Sequence, residues 1–200
     1  NREVVELLTT VNAANDRVSM HGVRRDLLKR QTEAIELPLR VVPIPEDADN
    51  ETHRERLAGP MADYDARGVD RVVFADIFLE GVRAYREERL AESDLAGAWP
   101  LWGRATDDVV RSFLYAGFRA RVACVDGDAF DPTWAGWRVD KAFLDDLPDD
   151  VDPCGEHGEF HTFVTDGPGF RAPVAVEVGE VVTRPVGDGE YHYADLVPAE

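Results

Sequence analysis

Arg71-Val72-Val73-Phe74-Ala75-Asp76-Ile77-Phe78 is the stretch on which the fold turns. Its apolar residues run almost without a break instead of alternating, as in a parallel strand covered on both faces. Upstream, Gly68 stops a helix that Asn50 or Thr52 caps and that reaches about Arg67. Before it lies a strand from Leu37 to Pro45, ended by its prolines. Earlier still, Val23, Leu27, Leu28, Thr32 and Ile35 recur at helical spacing, predicting a helix that starts at Ser19 or His21. The chain opens on a strand pattern from Val4 to Val11, and downstream a helix is expected from Leu79 to about Glu92. This alternation of strand and helix predicts an α/β fold, with a parallel sheet, right-handed crossovers and flanking helices.

The texture changes near Ala96, which divides the chain into regions 1–95 and 96–200. The second region reads as α+β. It has a short aromatic turn or strand over Trp99–Gly103, a helix from Asp107 to Tyr115 capped by Thr106, and a strand over Arg119–Val125. Short helices are expected over Pro132–Trp137 and Lys141–Leu147, then a hairpin or bulged strand over Ala175–Thr183 and a polar tail. The start at Asn1, directly into a strand pattern with no turn or cap before it, creates the expectation that residues precede it.

Charge narrows the functional classes. There are 40 acidic and 22 basic residues, a net charge of −18, and among the basic residues only Lys29 and Lys141 are lysines. A surface this acidic repels phosphate backbones, which argues against a nucleic-acid partner. Lysine depletion with excess carboxylate is the composition of a chain adapted to high salt. Cys124 and Cys154 are too few for a disulfide framework and lack CxxC spacing, which points to a reducing cytoplasm. No run of about 18 apolar residues is present, so no membrane span is expected. Nothing in the pattern sets an oligomeric state.

Three places carry candidate chemistry. Asp76 lies near the carboxyl end of its strand, where open parallel sheets bind ligands, and Glu80 follows one helical turn later. Together they can hold a ribose, a magnesium ion or a substrate amine; equally, Asp76 can cap the next helix. The loop Met20-His21-Gly22-Val23-Arg24 follows the first strand, where backbone amides and Arg24 can meet a nucleotide or simply form a turn. The richest segment is Asp152-Pro153-Cys154-Gly155-Glu156-His157-Gly158-Glu159-Phe160-His161-Thr162-Phe163. Its thiol and imidazoles invite zinc, but the spacing does not place three ligands. Glu159 is the stronger candidate for a working carboxylate. It is bounded by glycine in an acid-rich stretch, and crowding of that kind raises carboxylate pKa values and prepares a general base. The four tryptophans read as core, with one or two able to cradle a cation.

Residues 152–163 closely resemble the PCGExGEFxTF signature of the diphthine–ammonia ligase family. Ser19–Arg24, Phe74–Glu80 and Pro100-Leu101-Trp102 agree with that family in the same order, so the resemblance covers nearly the whole chain. It implies a PP-loop ATP pyrophosphatase, with a Rossmann-like sheet of the HUP type that binds adenine nucleotide and a smaller family-specific C-terminal substrate domain. The implied reaction uses ATP with Mg2+ to adenylate a carboxylate, which ammonia then converts to an amide. The implied protein partner is elongation factor 2, which carries the acceptor diphthine. By position, Met20, His21, Gly22, Arg24, Ala75, Asp76 and Glu80 would border the nucleotide. Cys154, Gly155, Gly158 and Thr162 would bind the acceptor, and Glu156 and Glu159 would serve catalysis, with Glu159 positioning or deprotonating ammonia.

Departures from the family pattern are Ala75 in place of Gly, His157 in place of Asn, and no Ser-Gly-Gly-x-Asp-Ser phosphate loop in the 200 residues. The last keeps open an alternative, a non-catalytic adenine-nucleotide-binding protein of the same superfamily. The tRNA-modifying relatives are disfavoured by the charge and by the lack of a catalytic cysteine pair.

Overall fold

The computed structural model describes residues 3–199. Strands β1 (Leu7–Asn12) and β3 (Leu39–Ile44) pair in parallel from Leu7↔Leu39 to Asn12↔Ile44, connected through helix α1 (Arg25–Ala34). The short β2 (Arg17–Val18) folds back antiparallel onto Val11 and Asn12. Helix α2 (Asn50–Ala66) follows; the Asp49 side chain caps it by accepting the Thr52 N–H. Strand β4 (Arg71–Val73) then pairs in parallel with β5 (Ala96–Ala98) across helix α3 (Glu80–Leu90).

The parallel strands thus form two separate sheets among the described residues, and not the single sheet that their alternation suggests. Two local causes are visible. β2 takes up part of the β1 edge opposite β3. The apolar run from Arg71 leaves the strand early, because the amides of Ile77 and Phe78 bond to the Glu156 carboxylate and not to a neighbouring strand. Accordingly Val73 is 62% exposed while Ile77 is buried, so the run is not a strand covered on both faces. Both parallel pairs nevertheless share one apolar cluster, in which Leu8, Val72 and Phe74 pack around Tyr64, Leu90 and Leu95.

The rest is an antiparallel five-stranded sheet centred on β6 (Arg119–Asp126). β8 (Phe160–Asp166) lies along one edge, and β7 (Arg138–Val139) and β10 (Gly189–Pro198) share the other; β9 (Val176–Val186) pairs with β10 at the margin. Helices α4 (Thr106–Tyr115) and α5 (Lys141–Asp146) and a single 3-10 turn at Pro132–Trp134 complete it. One face of the sheet packs Val122, Val125 and Phe160 on Phe130 and Phe143. The other face packs Ala123, Phe163, Ala194 and Leu196 on Leu27 of α1 and on Val23 just before it, so the first helix is built into the core of the second region. Among the described residues no helix is long and apolar enough to cross a membrane.

Other sequence expectations change as well: α2 is capped by Asp49 and not by Asn50 or Thr52, and the helix expected over Pro132–Trp137 is a 3-10 turn over Pro132–Trp134. The first helix begins at Arg25 and not at Ser19 or His21, because Met20 and Gly22 hold positive φ (63° and 67°), outside helical space. The polar tail is a full strand whose alternate residues His192, Ala194 and Leu196 are buried.

Candidate functional site

The loop between Val151 and Phe160 is held by hydrogen bonds that converge on Asp152. The Asp152 Oδ1 accepts the amides of Cys154 (2.8 Å) and Glu156 (3.3 Å), and the Gly155 amide returns to the Asp152 carbonyl (2.8 Å). Gly155 has a φ of 66° and is buried so closely that an added Cβ would stand 2.6 Å from the Phe160 carbonyl oxygen. Only glycine meets both conditions without strain. The two glutamates then diverge. Glu156 reaches away, its Oε1 accepting Ile77 N–H at 2.6 Å and Phe78 N–H at 3.4 Å. Glu159 turns inward: its Oε1 accepts the Asp152 N–H at 2.9 Å, while its Oε2 is buried with no hydrogen-bond partner. The Tyr191 hydroxyl donates to the Gly158 carbonyl at 3.1 Å, closing the loop against β10.

Cys154 is a structural donor here. Its thiol lies 3.3 Å from the Thr106 carbonyl at the start of α4, and burial, reinforced by the carboxylates of Asp152 and Glu156, pushes its pKa up to about 12. A thiol held protonated is no nucleophile at neutral pH. His157 is exposed, with its ring edge-on to Phe78 at 5.1 Å. Thr162 sits on β8 opposite Val122.

The loop after β4 meets this segment through Glu156. Asp76 is neither a helix cap nor an open ligand. Its carboxylate accepts from Arg86 Nη2 (3.0 Å) and from the Trp99 indole N–H (3.0 Å), while Leu79 occupies the N-cap of α3. The Gly103 amide donates to the Ile77 carbonyl at 2.8 Å, which ties the Pro100-Leu101-Trp102 motif to the same loop. The cation between Trp99 and Trp102 is the chain's own Arg83, at 4.7 and 4.6 Å from their ring centres. Ala75 and Glu80 are exposed, Glu80 at the first residue of α3.

The third loop, Ser19–Arg24, docks on the antiparallel sheet. Gly22 lies under the Tyr193 ring, where a Cβ would stand 2.5 Å from Cδ1, and the Cys124 thiol contacts the Met20 carbonyl at 3.4 Å. Arg24 is spent on Asp195 through Nε (2.9 Å) and Nη2 (2.6 Å). Arg17 joins the same carboxylate at 2.8 Å and also donates to the Gly22 carbonyl at 2.8 Å. Hydrogen bonds from Arg24, then Arg17, hold the Asp195 carboxyl down at about 2. A depressed carboxylate contributes stability that is complete above its ordinary value of 3.8 and fades as pH falls toward 2. Asp195→Asn is therefore expected to lower the denaturant midpoint at pH 7 and to flatten its decline between pH 4 and 2.

The His21 and His161 rings lie against each other, tilted by 37°, with centres 4.5 Å apart. Burial lowers both pKa values, that of His161 to about 4 with a further push from His21. The unfolded chain protonates this imidazole below 6.5 and the folded chain does not until near 4, so stability drops as pH falls through that window. His161→Gln should remove much of the drop, measured as unfolding midpoint against pH.

Between the Ser19–Arg24 loop, the carboxyl ends of β1 and β3 and the β9–β10 hairpin lies a cleft of about 480 Å³. Asn12, Met20, Gly22, His53, Arg184 and Tyr193 are among its walls. Loop 152–159 joins this neighbourhood through Tyr191, whose ring lies 6.3 Å from that of Tyr193. The structure thus brings together Glu156 with loop 77–78, Gly158 with Tyr191, and Met20–Gly22 with Tyr193 and His161. It keeps Cys154, His157 and His161 apart, on Thr106, Phe78 and His21, and among the described residues no group of three or more His, Cys, Asp or Glu is placed to hold a metal ion. Arg17, Tyr191, Tyr193 and Asp195 are not among the residues that the sequence singles out; the strand-favouring Tyr191-His192-Tyr193 run was the signal available for the last three.

Residues 105–191 match the family model described as the diphthamide synthase C-terminal domain. The match contains Cys154, Gly155, Glu156, Gly158, Glu159 and Thr162, and it stops short of Met20–Arg24 and Ala75–Glu80. It supports a diphthine–ammonia ligase-like family and a role connected with diphthamide formation. No curated protein matches the chain.

Proposed function

We propose that this chain catalyses ATP-dependent amidation of a carboxylate by ammonia, with diphthine on elongation factor 2, or a related acceptor, as the carboxylate. The observation that carries the reading is Glu159 Oε2, a buried carboxylate oxygen with no hydrogen-bond partner, although its other oxygen is held on the Asp152 amide. Such an oxygen costs about 1–3 kcal/mol to leave unpaired, a cost that a ligand relieves. An ammonium ion supplies the missing donors, and the same oxygen can take the proton that frees ammonia to attack. Oε1, fixed on the Asp152 amide, keeps Oε2 in place, while Glu156 ties the same segment to the 77–78 loop.

ATP would supply the activation of the acceptor carboxylate by adenylation. The cleft at the ends of β1 and β3 has the volume and the mixed walls that a nucleoside needs. The described residues do not fit a magnesium-bound triphosphate equally well. Arg17 and Arg24 are both held on the one carboxylate of Asp195, which offsets one of their two charges, and Asp76 is paired with Arg86. No step is therefore assigned to Mg2+. This same commitment of charge favours one second reading, a nucleotide-binding protein without ligase activity. Pyrophosphate release from ATP by the full-length protein, with and without ammonium and candidate acceptors, separates the two. Release that depends on acceptor supports the ligase; nucleotide binding without release supports the second reading.

A further inference from the structure

Strand β9 ends the antiparallel sheet, and its nine residues 177–185 are all exposed, with Val178, Val181 and Val182 showing 40%, 38% and 37% of their surface. An edge of this length usually carries devices that prevent pairing. Here they stand at the ends: Pro185 has no N–H to offer, and the register shift between Ala194 and Leu196 sets both Gly179 and Glu180 opposite Asp195. The middle is open.

We propose that this middle is an interface between two copies of the chain, joined antiparallel about a two-fold axis through Val182. The hydrogen-bond alternation sets the geometry. The Glu190 carbonyl turns away from β9 to accept the Gly127 amide, so the Glu190–Pro185 pair is a non-bonded one. By alternation Tyr191↔Arg184 and Tyr193↔Val182 are bonded inward, and the N–H and C=O groups of Val181 and Thr183 point outward.

In an antiparallel pair about Val182, Val181 of one copy exchanges both bonds with Thr183 of the other, and the reverse. Glu180 then stands opposite Arg184 twice, on the face that lines the cleft. Opposite charges directly across a ladder attract, and like charges there repel. An axis through Glu180 or Arg184 would set like charges against each other. An axis through Val181 or Thr183 would pair residues that point in with residues of the same kind but leave both charges without an opposite. The Val182 register alone is self-complementary, as a two-fold interface requires. Each copy then sets its Glu180 and Arg184 at the rim of the other's cleft.

So short a ribbon buries less than a permanent dimer needs, and two chains of net charge −18 repel, so association should depend on concentration and strengthen with moderate salt. Sedimentation equilibrium of the full-length protein tests this. Wild type should show a monomer–dimer equilibrium; Glu180→Arg or Arg184→Glu should each weaken it by about tenfold or more, and the double reversal should restore it. Val182→Cys places two thiols across a non-bonded pair, with Cα atoms about 4.5 Å apart, so mild oxidation should lock the dimer, while buried Cys124 and half-buried Cys154 give no such product. A wild type that stays monomeric throughout, single reversals that change nothing, or a double reversal that fails to rescue overturns the proposal.

Discussion

Glu159→Gln is expected to lower amide formation by about 10²- to 10⁴-fold, the range spanned by a positioned general base, while nucleotide affinity stays near that of wild type. The substitution is informative because it preserves the fold of the loop. Gln keeps an oxygen to accept the Asp152 amide, the one contact that Glu159 makes through Oε1. What it removes is the charge on the buried Oε2, which has no partner within the protein. Steady-state rates at saturating ATP, together with nucleotide titration, separate the two effects. A variant as active as wild type would show that the oxygen neither binds ammonium nor takes a proton.

Gly155→Ala is expected to cost about 2–4 kcal/mol of stability, the sum of a left-handed φ on a residue with Cβ and an overpacked contact. The contact is with the Phe160 carbonyl, which is backbone and cannot rotate away as a side chain would. Relief must come from moving β8 or the turn, and either displaces Glu159, which lies between them. Activity should fall with stability, since a misplacement of about 1 Å can cost about 10²-fold. Gly158→Ala is the control. Its φ of 94° carries a similar strain, but a Cβ there would meet only the Tyr191 hydroxyl at 3.6 Å, an ordinary contact. Urea unfolding of the pair should rank Gly155→Ala as clearly the more destabilised.

Gly155 and Glu159 both belong to a segment that is plain in the sequence. Glycines at fixed places among carboxylates announce a turn with working groups, and the turn forms where that pattern lies. The division of labour between Glu156 and Glu159 was not readable, because it depends on which backbone amides stand within reach of each carboxylate. Asp76 shows the same limit. Its position at a strand end suggested a ligand or a cap, yet Arg86 lies ten residues on and Trp99 twenty-three, and only packing brings both to its carboxylate. Arg24 likewise looked free until Asp195, 171 residues away, took it.

Local patterns of apolar spacing, glycine and proline determined most elements, since helix and strand periods and turn conformations depend on near neighbours. They also determined an acidic chain with a glycine-bounded carboxylate loop. Pairing partners were decided elsewhere. Whether β4 would join β1 or β5, whether Gly189–Pro198 would be tail or strand, and which carboxylate would stay unpaired all depend on contacts between residues far apart in the chain. Those contacts compete for the same amides and cations, and only the folded arrangement shows which of them wins.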